Sequence, residues 1–453
     1  MAVTVGAPVG TELAASGVGN GGQQNRRSTP FRLAAWTVAV GLALGALLGA
    51  TVSAFTAARD GTESVAQHAR IASDASDLYF SLSDLDAEAA RLVLLGNGAD
   101  PGTGALDHAG DQIAALDAYN QRTAQVDADL RQLAGEDQSA APVTALTGGV
   151  TQYHQIADAA IALDQTAPSA LPDTMGAPSG QPAAAAIGYY ARATTLMQSR
   201  LLPEARALRD ETSNALSDAA SSAHLAGIIG ASAVGAMGLL ALVLASRMHR
   251  RLRLWFRRTL NPGIVVALLV ALGLAIGSLF ALMATARDAS AAGARFTDYL
   301  AVTRARAASY DVDGAVTRYL LMPDTTDQQL TKALSTANGE LTGLGSAGTE
   351  AAARWKLIVQ APQGDIPAII GRSDISTALA RDTGTARGDE AFDFYYYDSA
   401  LVKLSDDRHA AFDTAMASAR SDLAGWSWLP WSLVAAALLA LGFGVWPRFG
   451  EYR

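Results

Sequence analysis

No cysteine occurs anywhere in the 453 residues, so disulfide staples, thiolate nucleophiles and cysteine-based metal or redox centres are excluded. Histidine is scarce too: there are six, scattered, and no two stand in an H-x3-H spacing that could grip a metal ion. Neither a G-x-S-x-G elbow, nor a Walker loop, nor a paired-acid motif stands in a convincing context, so no enzyme is expected. Gly17-Val18-Gly19-Asn20-Gly21-Gly22 matches a dinucleotide fingerprint by letter, but it neither follows a strand nor opens a helix. No cofactor is expected. Charge is thin at 17% of residues, whereas half the chain is hydrophobic. That balance is too apolar for an ordinary soluble protein and too polar for one made mostly of spans.

Where charge does occur it is segregated. Residues 58–223 carry a balance of −13, residues 287–425 carry −5, and the remainder carries +9. The basic excess peaks at Arg247–Arg258, which holds six arginines in twelve residues and no acid. It lies between two uncharged apolar runs, Leu225–Ala245 and Gly263–Ala284, each with the roughly 20 residues a helix needs to cross a bilayer. A short cationic loop between two spans belongs in the cytoplasm. It is too short, and too enclosed by spans, to form a nucleic-acid-binding surface, so no nucleic-acid partner is expected.

Two more apolar runs, Leu33–Phe55 and Trp428–Val445, complete a four-span plan in the lipid bilayer of the plasma membrane, with both termini cytoplasmic. The first run is longer than the apolar core of a secretory signal. Gly41, Gly45 and Gly49 form a small-residue ladder along it that permits close helix packing, although small residues are common throughout this alanine-rich chain. A homo-oligomer is left open. The expected order is a disordered cytoplasmic tail over 1–30, spans over 31–57, 224–246, 262–286 and 426–447, and an arginine-rich cytoplasmic loop over 247–261. Extracytoplasmic domains fill 58–223 and 287–425, and 448–453 forms a second tail. Abundant Ala, Leu, Asp and Gln, with apolar residues three and four apart, predict an all-α protein. Four helices near 58–96, 104–134, 141–165 and 184–223 fit a first antiparallel bundle, and the first and last of them continue from the spans.

The two halves share a motif. Asp84-Leu85-Asp86 with Arg91-Leu92-Val93-Leu94 matches Asp311-Val312-Asp313 with Arg318-Tyr319-Leu320-Leu321, as D-[LV]-D-x4-R-x-[VL]-L, offset by 227 residues. This is an internal parallel repeat, with its pseudo-two-fold axis along the membrane normal. Positions seven apart on a helix differ by about 20° in direction, so Asp84 shares a face with Arg91, and Asp311 with Arg318. Such a pair serves bundle structure, contacts a partner protein, or clamps the ammonium and carboxylate of an amino acid. The candidate ligand-or-partner residues are therefore Asp84, Asp86, Arg91, Asp311, Asp313 and Arg318. Tyr395, Tyr396 and Tyr397 join them, because a tyrosine run suits either a packed helix start or a recognition surface. Asp77 and Arg304 stand at equivalent positions with opposite charge, which would favour contact between unlike domains. On the cytoplasmic side Arg250, Arg251, Trp255, Arg257 and Arg258 are the candidate effector contacts, beside the simpler role of holding anionic lipid.

Asp77-Leu78-Tyr79-Phe80-Ser81-Leu82-Ser83-Asp84-Leu85-Asp86 and Arg304-Ala305-Arg306-Ala307-Ala308-Ser309-Tyr310-Asp311, set in four spans and two helical domains, resemble the GlnX-type membrane proteins of high-GC Gram-positive bacteria. The resemblance covers nearly the whole chain beyond residue 30. It implies a sensor that works with an extracytoplasmic glutamine- or glutamate-binding lipoprotein and with a cytoplasmic Ser/Thr kinase, protein kinase G. The competing classes are an envelope scaffold that only holds other proteins, and a receptor that binds a small ligand directly between its bundles. A transporter is disfavoured because the four apolar runs carry no ionisable residue.

Overall fold

The computed structural model describes residues 24–96, 105–136, 140–166, 182–256, 262–359, 365–370 and 390–450. Among them no strand occurs. The order is α1 (Gln24–Leu95), α2 (Ala105–Ala134), α3 (Ala140–Thr166), α4 (Ala184–Leu196), a π turn (Met197–Leu201) and α5 (Leu202–Phe256). Then follow α6 (Pro262–Leu321), α7 (Pro323–Gly343), a 3-10 turn (Gly345–Gly348), α8 (Thr349–Val359), α9 (Asp365–Ile370), α10 (Glu390–Asp422) and α11 (Leu429–Gly450). Helix α1 begins at Gln24, so the last seven residues of the expected tail are helical. Once a long apolar segment has nucleated a helix, adding a turn of Gln, Asn and Arg costs little. The tail before Gln24 lies outside the described residues.

Among the described residues, three helices are long and apolar enough to cross a membrane, within Ala34–Leu95, Ala184–Arg251 and Gly263–Leu321, and a shorter apolar helix covers Leu429–Gly444. Each long helix runs without a break from its apolar segment into polar sequence. At the other end of the chain the helix does break. Between α10 and α11 the backbone turns at Gly425, whose φ of 83° lies where only glycine is unstrained.

The contacts divide the chain into two units. The first comprises Met1–Phe55, Ile229–Ala281 and Gly425–Arg453. Its helices pack through small residues other than those of the Gly41, Gly45 and Gly49 ladder. A side-chain carbon at Gly230 would lie 2.8 Å from the Ala54 Cβ, and one at Gly238 would lie 2.5 Å from the Ala275 Cβ. A carbon added at Gly41, Gly45 or Gly49 would meet no atom of another described segment within 4 Å. Phe55 stacks on Trp426 with centroids 4.4 Å apart. The Arg251 guanidinium lies 4.5 Å over the Trp36 ring, a cation–π contact between two helix ends.

In the second unit, Thr56–Ile228 and Leu282–Ala424, the described residues build the following cores. The largest joins Leu78, Leu82, Leu85 and Val93 of α1 to Leu133 of α2, Tyr153 of α3, Tyr190 of α4, and Leu201 and Leu208 beyond it. Another joins Val312 and Val316 of α6 to Leu330 of α7, Trp355 of α8, and Tyr397 and Leu401 of α10. A third is made by the four long helices alone, from Val65 and Ala72 of α1, Leu216 of α5, Phe296 and Leu300 of α6, and Phe412 and Met416 of α10. The two halves of the sequence thus share one interior.

Candidate ligand or partner site

Within the second unit, α1 and α6 approach closely where a small residue meets a glycine. A carbon added at Gly314 would lie 3.0 Å from the Ala87 Cβ and 3.1 Å from the Arg318 Nη1. Glycine at this position therefore lets α6 sit against α1 and lets Arg318 reach across. There Arg318 Nη1 donates to Asp86 Oδ2 at 2.8 Å, with side-chain exposures of 4% and 0%. A buried ion pair is tolerable only when its other lone pairs are filled. Asp86 meets that condition: it accepts from Tyr153 Oη at 3.1 Å, Thr194 Oγ1 at 2.9 Å and Gln198 Nε2 at 3.4 Å. Gln198 reaches it from the π turn, a distortion that recurs at functional sites. One carboxylate therefore ties α1 to α3, α4, the π turn and α6.

Beside this staple is a cavity of about 200 Å³, lined by Asp84, Ala87, Glu88 and Arg91 of α1, Tyr310, Asp313 and Thr317 of α6, and Glu390, Phe394, Tyr395 and Asp398 of α10. Five of the lining residues are carboxylic acids. Asp84 pairs with Arg122 of α2, and Asp398 receives Arg306 Nε at 2.6 Å and Nη2 at 2.8 Å and Tyr310 Oη at 3.1 Å. The other three crowd together. Glu390 is buried and hydrogen-bonds Asp313, which requires a proton on one of the two. Burial raises Asp313 against the opposing charge of Arg91. Burial also pushes Glu88 up to about 7, again against Arg91, with Asp84 and Asp313 adding to the rise. Asp84 is pushed up to about 6 by burial despite its arginine. Oε2 of Glu88 is enclosed and accepts no hydrogen bond.

Behind the lining lies an aromatic and cationic cluster that holds two of its acids, Asp84 and Asp398. The Phe80 ring carries the Arg122 guanidinium at 5.2 Å and the Arg306 guanidinium at 4.7 Å, and Tyr310 meets it edge-on at 4.7 Å. Tyr310 also meets Phe394 edge-on at 5.0 Å. Further along α1, Tyr79 Oη donates to Asp311 Oδ2 at 3.0 Å and accepts from Arg206 Nη2 at 2.7 Å, and Ser83 donates to Asp311 as well.

The candidate residues therefore separate by role. Asp84, Arg91, Asp313 and Tyr395 line the cavity. Asp86 and Arg318 face each other in the interior, and Asp311 is held by Tyr79 and Ser83. Tyr397 is fully buried and hydrogen-bonds Ser309, whereas Tyr395 and Tyr396 are 70% and 51% exposed. Arg304 reaches Glu340 at 3.9 Å within its own half, and Asp77 lies near Arg306. Arg250 and Arg251 are exposed, and Arg251 covers Trp36. The Trp255 side chain, Arg257 and Arg258 lie outside the described residues. Sequence reasoning missed Glu88, Arg122, Arg306, Glu390 and Asp398. Glu88 had a signal: it stands four residues after Asp84 and three before Arg91, on the face they share.

Residues 61–221 match the family model of an actinobacterial sensor domain. No curated protein and no solved structure matches the chain. The matched stretch runs from α1 into α5 and includes Asp84, Asp86, Glu88, Arg91 and Arg122. With three helices long and apolar enough to span a bilayer, the chain is a membrane protein that is similar, over that stretch, to actinobacterial sensor domains.

Proposed function

We propose that the protein is a four-span sensor and signalling adaptor of the plasma membrane, with both termini in the cytoplasm and the second unit outside. It relays amino-acid availability, presented by a solute-binding lipoprotein, to a cytoplasmic Ser/Thr kinase. The observation that carries this reading is the sensor-domain match over the residues that build one side of the α1–α6 crossing. The mechanism follows from the helices. Helices α1, α5 and α6 run unbroken from polar sequence into apolar segments, so a change in packing at Asp86–Arg318 is transmitted along them. Small shifts of packed helices are a standard route of switching. They need an outside partner that binds the two packings with different affinity.

The reading includes the internal repeat. Positions equivalent under the 227-residue offset meet at Ala87 and Gly314, as they must on a two-fold axis. The charges also run crosswise: Asp86 takes Arg318, and Arg91 is the charge that most favours an ionised Asp313. No catalytic step has a part in the proposal. The exposed Tyr395 and Tyr396 are the surface assigned to the lipoprotein, and Arg250, Arg251, Trp255, Arg257 and Arg258 are assigned to the kinase.

The test uses the full chain in lipid nanodiscs, titrated with glutamate, glutamine and aspartate, alone and with a glutamate-binding lipoprotein. Binding of the loaded lipoprotein, and not of the empty one, is the expected result. No binding of either form would leave a scaffold. Binding of a free small molecule would favour direct sensing, a second reading that the cavity at Glu88 supports.

A further inference from the structure

We infer that the π turn at Met197–Leu201 is a register switch, which moves along its helix toward α4 and exchanges the side chains that hold Asp86. A π turn takes up one residue more than a regular helix needs. Here the Leu202 N–H bonds the Met197 carbonyl, five residues back. When such a turn travels toward the start of a helix, each residue it passes takes the place of the residue before it. That step is a rotation of about 100° and a rise of about 1.5 Å.

The chain supplies side chains for both registers. In the present one Thr194 Oγ1 donates to Asp86 at 2.9 Å and Gln198 Nε2 donates at 3.4 Å. The shift puts Thr195 in the place of Thr194 and Ser199 in the place of Gln198. Both bring a hydroxyl donor, so the buried carboxylate keeps two partners from this helix. In the present register these hydroxyls are exposed and donate to helix carbonyls, Thr195 to Ala191 and Ser199 to Thr195, each at 2.6 Å. Travel stops short of Tyr190, whose fully buried ring would give way to Ala191.

Three contacts hold the turn where it is. Met197 is fully buried in the largest core, and the shift puts the Gln198 amide into its place. Leu201, also fully buried, fills a notch at Gly149 of α3, where an added carbon would collide with it. In a regular helix the Pro203 ring would press on the Ser199 carbonyl, four residues back, and the wide turn removes that clash. The second register is therefore the minor one, and releasing any of these holds raises its population. Because Asp86 also takes Arg318, the exchange acts at the α1–α6 crossing. The switch does not depend on the sensor reading; that its position carries a signal does.

Full-length protein in nanodiscs is spin-labelled through Gln152→Cys of α3 and Arg200→Cys of the π turn, both at exposed positions. A rotation of about 100° on a helix about 10 Å across displaces the second label by about 8 Å, so the registers give separate distances. One distance should dominate in the chain with the labels alone. Gln198→Met removes the amide bond to Asp86 and offers the core an apolar side chain in either register. It should raise the ratio of the second distance to the first about tenfold or more. Pro203→Ala, which removes the clash, should move the ratio in the same direction. Adding Thr195→Val and Ser199→Ala to Gln198→Met should restore the single distance. One unshifted distance in both Gln198→Met and Pro203→Ala overturns the inference. A second distance that survives loss of the Thr195 and Ser199 hydroxyls overturns it as well. A ratio that glutamate-loaded lipoprotein leaves unchanged, with both distances present, would keep the switch and contradict the sensor reading alone.

Discussion

Asp86 and Arg318, 232 residues apart in sequence, meet at 2.8 Å in the interior of the second unit. Four helical segments converge on the aspartate. Removing one partner leaves a buried charge without its counterion. Arg318→Met is therefore expected to destabilise the unit by about 3–5 kcal/mol. A double-mutant cycle with Asp86→Asn, followed by thermal unfolding of reconstituted protein, measures the coupling.

At the crossing beside that pair, Gly314 offers a second test. In an exposed helix, alanine would gain about 1 kcal/mol over glycine. Here its methyl would press on Ala87 at 3.0 Å. Gly314→Ala is expected to show no such gain, and Gly314→Val to lose about 1–3 kcal/mol through overpacking. Chemical denaturation of the two variants decides it.

Stability will depend on pH with an unusual sign. Burial raises Glu88 to about 7 and raises Asp84, Asp77 and Asp129 each to about 6. Between those values and the ordinary carboxylate range, the folded unit holds protons that the unfolded chain has released. Stability from these groups is full below their unfolded values and is lost as pH rises through 6 to 7. The melting temperature should fall by a few degrees from pH 5 to pH 7.5. Glu88→Gln should flatten part of that slope.

The tyrosines at the start of α10 predict a split between stability and binding. Tyr395 and Tyr396 are exposed, and Arg354 lies 5.3 Å over the Tyr396 ring. Tyr396→Ala should change stability by less than about 1 kcal/mol. Tyr397→Ala should cost about 3–5 kcal/mol, because that ring is fully buried against Trp355 at 5.0 Å. If Tyr395 and Tyr396 form the docking surface, Tyr396→Ala weakens lipoprotein capture while melting is unchanged.

The all-α class and the long apolar helices were legible because composition and periodicity act locally. The two copies of the D-[LV]-D motif fall at the α1–α6 crossing, but nothing in the motif says that the copies meet. Partner choice was not legible: helical spacing puts Asp84 and Arg91 on one face, yet Asp84 pairs with Arg122 and Asp86 with Arg318. Those pairings depend on which helices meet, and nothing in seven-residue spacing records that. Arg122 lies in a polar helix with no marker, and Glu390 follows a stretch that lies outside the described residues. Pro203 marks a kink, but nothing in the sequence marks the π turn at Met197–Leu201, although it carries Gln198 to Asp86.

The absence of cysteine makes the central claim directly measurable, since introduced thiols label cleanly. Glu63 of α1 and Ser290 of α6 are exposed, equivalent under the 227-residue offset, and suited to spin labels through Glu63→Cys and Ser290→Cys. Interspin distances are recorded on the full chain in nanodiscs, with and without glutamate-loaded lipoprotein. The account predicts that the distribution shifts by about 1–2 Å or more on loading, and that Arg318→Met abolishes the difference. An identical distribution in both states, with the lipoprotein demonstrably bound, would contradict it.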